Sequence, residues 1–213
     1  MYIIVKQTSN DLYEDKFEIY DVNNNKVGDA ALIGNLGSRE ASVNINYTNN
    51  NIQLKFGYNG LGERLKGMFS VGIFRPYNII INNTNAGRIG TNYIKENALT
   101  RIAYHEMTYD NRKYTSYYYG LKEKGLIYSF YDNSNIIGQI YKGAEIINGL
   151  NIYEIKSTDD KSIVLALIEC FYIHVFSYYR PGVKITSGKE VKYSETFSKI
   201  LEEKYNPDFW NRN

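Results

Sequence analysis

The sequence predicts an all-β domain in which about a dozen antiparallel strands close into one barrel around a single buried hydrophobic helix. Three observations predict it: a hairpin signature that occurs three times, a series of alternating segments of strand length, and one helical stretch that is apolar on nearly every side. The composition agrees. The 213 residues include 22 Tyr, 17 Gly and only 3 Pro, with many Asn, a mixture that suits strands joined by tight turns.

The signature runs through Phe17–Gly28, Tyr77–Gly90 and Tyr128–Gly138. Each segment alternates aromatic and aliphatic residues, passes through Asp and Asn, and resumes with an aliphatic residue followed by Gly. Asp and Asn bond to nearby backbone and tolerate left-handed turns, so each segment reads as a β-hairpin. The closing glycines are spaced 62 and then 48 residues apart, too irregular for a solenoid or propeller.

The remaining strands follow from period-two alternation. Ala41–Asn46 sets Ala, Val and Ile against Ser and Asn, and Ile52–Phe56 sets Ile, Leu and Phe against Gln and Lys, with Asn49–Asn51 as the turn. Met68–Phe74, Ile102–Met107, Lys113–Tyr119 and Ile146–Lys156 are further strands, and Pro76 falls at a junction. An open sheet of this size would leave two long edges, so closure is expected.

Ser162–Tyr179 is the filling helix, capped by Asp159, Asp160 or Ser162 and stopped by Arg180-Pro181-Gly182. Its length of about 27 Å falls short of the usual bilayer span, and Glu169 and His174 interrupt it. It therefore reads as a core helix and not as a transmembrane segment. A barrel of about twelve strands is too wide for its own side chains to fill, and a helix supplies what is missing. Residues 194–205 form an amphipathic helix with Phe197, Ile200, Leu201 and Tyr205 on one face, ended by Pro207, with Trp210 packing nearby. The expected organisation is a barrel domain over 1–182, including the core helix 162–179, and a C-terminal extension over 183–213 that covers a barrel mouth or edge.

On the repeated hairpins and the filling helix, the chain resembles the tubby C-terminal-like superfamily, which includes bacterial tubby-like, LURP-one-related and phospholipid scramblase-like barrels. The resemblance covers about residues 1–180 and implies a twelve-stranded antiparallel barrel around a central hydrophobic helix. In that family the helix usually closes the chain, whereas here the 183–213 extension follows it. The tubby branch binds phosphoinositides through Lys and Arg, but its motif does not map onto residues of this sequence. What the resemblance implies for function is an anionic lipid head group or a membrane surface.

The residues themselves say little about chemistry. A net charge of +2 does not call for nucleic acid. A single cysteine, Cys170, excludes an internal disulfide framework and a cysteine-rich zinc site, and two histidines leave little for a metal centre. His105-Glu106 opens like a zinc-protease motif, but Tyr109 stands where the second His belongs and the segment reads as a strand. Cys170 and His174 share a helix face; inert filling and a satisfied core histidine are the simpler readings. Glu169, inside an apolar helix, needs either the barrel mouth or a base from a strand. The glycine-rich segment Gly57–Gly67 reads as a surface loop in which Arg64 and Lys66, with Arg75, are the candidates for holding an anionic head group; a solvated turn is the plainer reading. Tyr117–Tyr119 are expected to pack on the wall.

No catalytic constellation, metal site or cofactor motif emerges. The expectation is a non-enzymatic binding module for an anionic membrane lipid. Two alternatives stand beside it: a protein-binding scaffold using the C-terminal helix and Trp210, and a hydrolase-like enzyme with a site at the barrel mouth around Glu169. The apolar start Tyr2–Val5 is too short for a secretory signal, so a cytoplasmic location, free or at a membrane surface, is expected.

Overall fold

The computed structural model describes residues 1–11, 13–34, 41–69, 72–98, 100–146, 150–179, 188–189, 192–193 and 198–211. In chain order the elements are β1 (Tyr2–Asn10), β2 (Glu14–Asp21), β3 (Lys26–Gly34), β4 (Ala41–Tyr47), β5 (Asn50–Phe56), α1 (Leu61–Met68), β6 (Phe74–Ile81), β7 (Thr84–Lys95), β8 (Arg101–Tyr109), β9 (Arg112–Lys122), β10 (Gly125–Asp132) and β11 (Asn135–Gly143). There follow β12 (Glu145–Ile146), β13 (Ile152–Ser157), α2 (Asp160–Ile173) with a π-helical turn His174–Tyr178, β14 (Gly188–Lys189), β15 (Lys192–Tyr193), α3 (Lys199–Lys204) and α4 (Pro207–Asn211).

Twelve strands, β1 to β11 and β13, pair antiparallel with their neighbours. The ring closes where β9 meets β10 on one side and β13 meets β1 on the other. Alternation puts Ile3 and Val5, Phe17 and Ile19, Val43 and Ile45, and Ile52 and Leu54 inward, all nearly or fully buried. The helix α2 enters from the end where β13 stops and fills the lumen, with Ile163, Leu167, Phe171 and Ile173 buried around its circumference. Asp159 caps it, its side chain accepting from the Ser162 backbone N–H at 2.8 Å. Burying each large side chain of this helix contributes on the order of 1.5–3 kcal/mol. Asp160–Tyr178 is the one helix among the described residues long and apolar enough to cross a membrane, and it lies inside the barrel.

The three signature hairpins are β2–β3, β6–β7 and β10–β11, four strands apart around the ring and so one third of a turn from each other. Each repeats one geometry. An inward Ile19, Ile79 or Phe130 faces Gly28, Gly87 or Gly138, and the register slips at the next residue. In the second hairpin the matching glycine is thus Gly87, not Gly90. Asn24, Asn83 and Asn133 take the left-handed turn conformation that their side chains tolerate. The turns of β2–β3, β4–β5, β6–β7, β8–β9 and β10–β11 gather at the end where α2 enters; α1 and the tight β9–β10 turn lie at the other.

Several boundaries differ from the sequence reading. Met68–Phe74 is not a strand: Met68 ends α1 and β6 begins at Phe74. The segment 57–67, read as a loop, holds that helix, its spacing of Leu61, Leu65 and Met68 obscured by Gly60, Gly62 and Gly67. Pro76 sits inside β6, where a bulge between Phe74 and Tyr77 spares it a ladder bond. Ile146–Lys156 divides between β12 and β13. The core helix starts at Asp160 and its last turn is π-helical, with the Tyr179 N–H donating to the His174 carbonyl at 2.8 Å.

The expected helix over 194–205 is α3 in its described part, while 194–197 lie outside the described residues. Pro207 does not end it but opens α4, whose first turn Asn206 caps. The C-terminal segment runs along the outer wall. Tyr205 stacks on Tyr119, Leu201 joins Ile102, Tyr117 and Tyr131, and Trp210 meets Tyr2 and Tyr141.

Candidate functional site

Two places combine exposure or cavity with chemistry. The first is α1, on the outside of the wall. Glu63 on its inner face pairs with Arg88 of β7, at 2.5 Å to Nη1 and 2.7 Å to Nη2, and Arg88 also donates to the Gly57 carbonyl. This bond to Arg88 holds the Glu63 carboxyl below the usual carboxylate range. Gly67 fits against the Ile73 carbonyl where a Cβ would not. With these contacts fixing its back, α1 turns Leu61 (71% exposed), Leu65 (46%), Met68 (63%) and, just past its end, Phe69 (71%) to solvent.

Arg64 and Lys66 are both exposed on α1. At about 100° per residue they stand about 200° apart, one on each flank of the apolar stripe. They therefore do not converge on one small anion. Arg75 is elsewhere: its guanidinium lies over the rings of Phe74 and Phe176, 5.4 and 5.1 Å from their centroids. Its backbone is left-handed (φ 48°), and its carbonyl accepts from the Tyr172 hydroxyl. Among the described residues, none of the three cations is within ion-pair distance of a carboxylate.

The second place is the barrel mouth at the far end of α2. A cavity of about 290 Å³ is lined by Thr91, Ala103, His105, Tyr118, Leu126, Tyr128 and the π-helical Phe176, Ser177 and Tyr178. His105, inward on β8, bonds through Nδ1 to Glu169 Oε1 at 2.6 Å. Glu169 is 1% exposed and His105 8%. Around the imidazole, Tyr128 lies nearly parallel, while Tyr172 and Phe176 present edges. Burial pushes the Tyr128 hydroxyl well above its ordinary value and keeps it a neutral donor. The strand base that Glu169 meets was overlooked in the sequence, although alternation from Met107 back along β8 points His105 inward.

His174 is a different kind of group. Its Nδ1 accepts from the Tyr153 hydroxyl at 2.7 Å and its Nε2–H donates to Asp15 at 3.2 Å, in full burial. Burial lowers its pKa against the opposing pull of Asp15. Cys170 is buried, and burial with the nearby Glu169 charge raises its thiol well above the ordinary value, which suits filling and not nucleophilic chemistry. Tyr117 and Tyr119 lie under the C-terminal segment on the outer wall, and Tyr118 lines the mouth cavity. Among the described residues no three His, Cys, Asp or Glu side chains group as a cation would need.

The fold and the two sites define a closed twelve-stranded barrel, filled by a helix, with one apolar surface helix and one aromatic mouth cavity. Comparison with protein-family models, curated proteins and solved structures gave no match to this chain.

Proposed function

We propose that this chain is a binding module that docks on an anionic membrane surface through α1. One observation carries the reading: Leu61, Leu65, Met68 and Phe69 form a solvent-facing stripe flanked by Arg64 and Lys66, on a helix whose opposite face is tied down by Glu63 and Arg88. An interfacial helix needs that arrangement, with apolar side chains to enter the acyl boundary and cations beside them at head-group level. Each cation near an anionic leaflet adds about 1 kcal/mol, so two make for weak, salt-sensitive attachment. The reading accords with the tubby-like resemblance, though it places the contact on a surface helix and not in a head-group pocket.

The test is co-sedimentation with phosphatidylcholine vesicles and with vesicles that also contain phosphatidylserine, at low and moderate salt. Binding to the anionic vesicles should weaken with salt and with the pair Arg64→Ala and Lys66→Ala. It should weaken at both salt levels with Leu65→Ser and Phe69→Ser. Absence of binding to either vesicle overturns the reading and leaves a protein partner as the occupant of the α1 face.

A further inference from the structure

We propose that the mouth cavity is a binding site for a small neutral ring compound bearing one acidic O–H, with His105 Nε2 as its acceptor and Glu169 as the residue that positions it. The site is independent of α1.

The argument starts from the imidazole. Its Nδ1 is engaged by Glu169, and Nε2 makes no hydrogen bond among the described residues although the side chain is nine-tenths buried. A ring nitrogen that faces an aromatic cavity with no protein partner is an acceptor available to whatever occupies that cavity. The chain's other histidine shows the contrast, since both nitrogens of His174 are satisfied by protein. With the imidazole neutral, the carboxylate draws the proton to Nδ1 and leaves the Nε2 lone pair free at the cavity wall.

The rest of the lining selects the ligand class. Tyr118, Tyr128, Phe176 and Tyr178 make an aromatic slot suited to a flat ring. The lining itself carries no charge: Arg75 and Lys142 lie over the rings of Phe176 and Tyr178, and Glu169 is bonded to His105, so a ligand meets rings and hydroxyls before any charge. The volume, about 290 Å³, is at the small end for ligand sites and suits a single substituted ring. The π-helical turn contributes three of the lining residues, as such turns often do at functional sites.

The probe is 4-chlorophenol, which stays neutral near pH 7, with 4-chloroanisole as the analogue that lacks the donor. The two histidines give separate imidazole signals in nitrogen-correlated NMR spectra of the intact chain. Adding 4-chlorophenol should shift the His105 signals saturably and leave those of His174 in place. 4-Chloroanisole should bind about tenfold more weakly, the ratio expected for one lost hydrogen bond in a desolvated site. His105→Phe should remove the preference between the two compounds. If that variant does not fold, the wild-type comparison decides alone. No shift of His105 at millimolar 4-chlorophenol, equal binding of the two compounds, or a preference that survives in folded His105→Phe overturns the proposal.

Discussion

Glu169 of the lumen helix and His105 of β8 are joined at 2.6 Å across the interior of the barrel, and neither side chain is more than 9% exposed. The bond ties the filling helix to the wall at the mouth, far from the cap at Asp159. Removing one partner leaves the other buried without compensation, which typically costs 3–5 kcal/mol, whereas replacing both with apolar groups can be close to neutral. We therefore expect His105→Phe and Glu169→Leu each to lower stability to urea by about that amount, and the double variant to recover most of it. Additive losses would show that the two side chains act separately.

His174 makes stability depend on pH in a definite direction. Its folded-state pKa is depressed by burial, so the unfolded chain takes up a proton that the folded chain refuses. Its contribution is complete above the ordinary histidine value of about 6.5 and is lost as pH falls below it, with a slope of at most about 1.4 kcal/mol per pH unit. Asp15 and Lys142, the charged groups that act on His174, and Tyr153, bonded to it, remain in His174→Gln. Urea unfolding between about pH 7.5 and 5.5 should give a shallower decline for that variant than for the wild type. Parallel declines would contradict the assignment.

The Glu63–Arg88 pair predicts local rather than global loosening. Arg88→Met should abolish hydrogen-exchange protection across Leu61–Met68 while leaving β4 and β5 protected, because α1 contributes only Gly67 to the buried interior. Acidification should act the same way: the Glu63 pKa is lowered in the folded chain, so its contribution holds above the ordinary carboxylate value and fades as pH falls. Uniform loss of protection across the barrel would refute this.

Glycine-to-alanine changes should have opposite signs at two positions. Gly87 adopts φ 156°, and a Cβ there would run into the Thr108 carbonyl oxygen. Gly87→Ala should cost about 1–3 kcal/mol. Gly62 in α1 has open space where its Cβ would go, so Gly62→Ala should add about 0.5–1 kcal/mol to that helix. A lowered midpoint in a circular dichroism melt would check Gly87→Ala, and increased hydrogen-exchange protection across Leu61–Met68 would check Gly62→Ala.

The barrel was legible because its signals are local and repeated. Alternation at Ala41–Asn46 and Ile52–Phe56, Asn at the left-handed turns and apolar residues all round 162–179 each point to the same closed wall with a filled lumen. What escaped was what depends on distant partners. Leu61, Leu65 and Met68 have helical spacing, but glycines between them favour a loop, and it takes Arg88, 25 residues on, to hold the helix in place. Glu169 announced that it needed a base, yet which strand residue supplied it depended on barrel register. Arg64, Lys66 and Arg75 looked like one basic group in the sequence; the helix turn and the aromatic ring of Phe176 separate them.

The ring closes by pairing its first strand with its last, and only then does the chain supply the helix that the ring encloses. Synthesis therefore delivers the lining of the lumen before its contents. Until residues 160–178 leave the ribosome, Val5, Ile45, Leu54 and their neighbours have no interior partner, and a partial ring presents two unpaired edges. Closure waits until residue 178 has been made, and contacts between parts of the sequence more than 150 residues apart must then form together. Until then the nascent chain is open to aggregation and to chaperone capture.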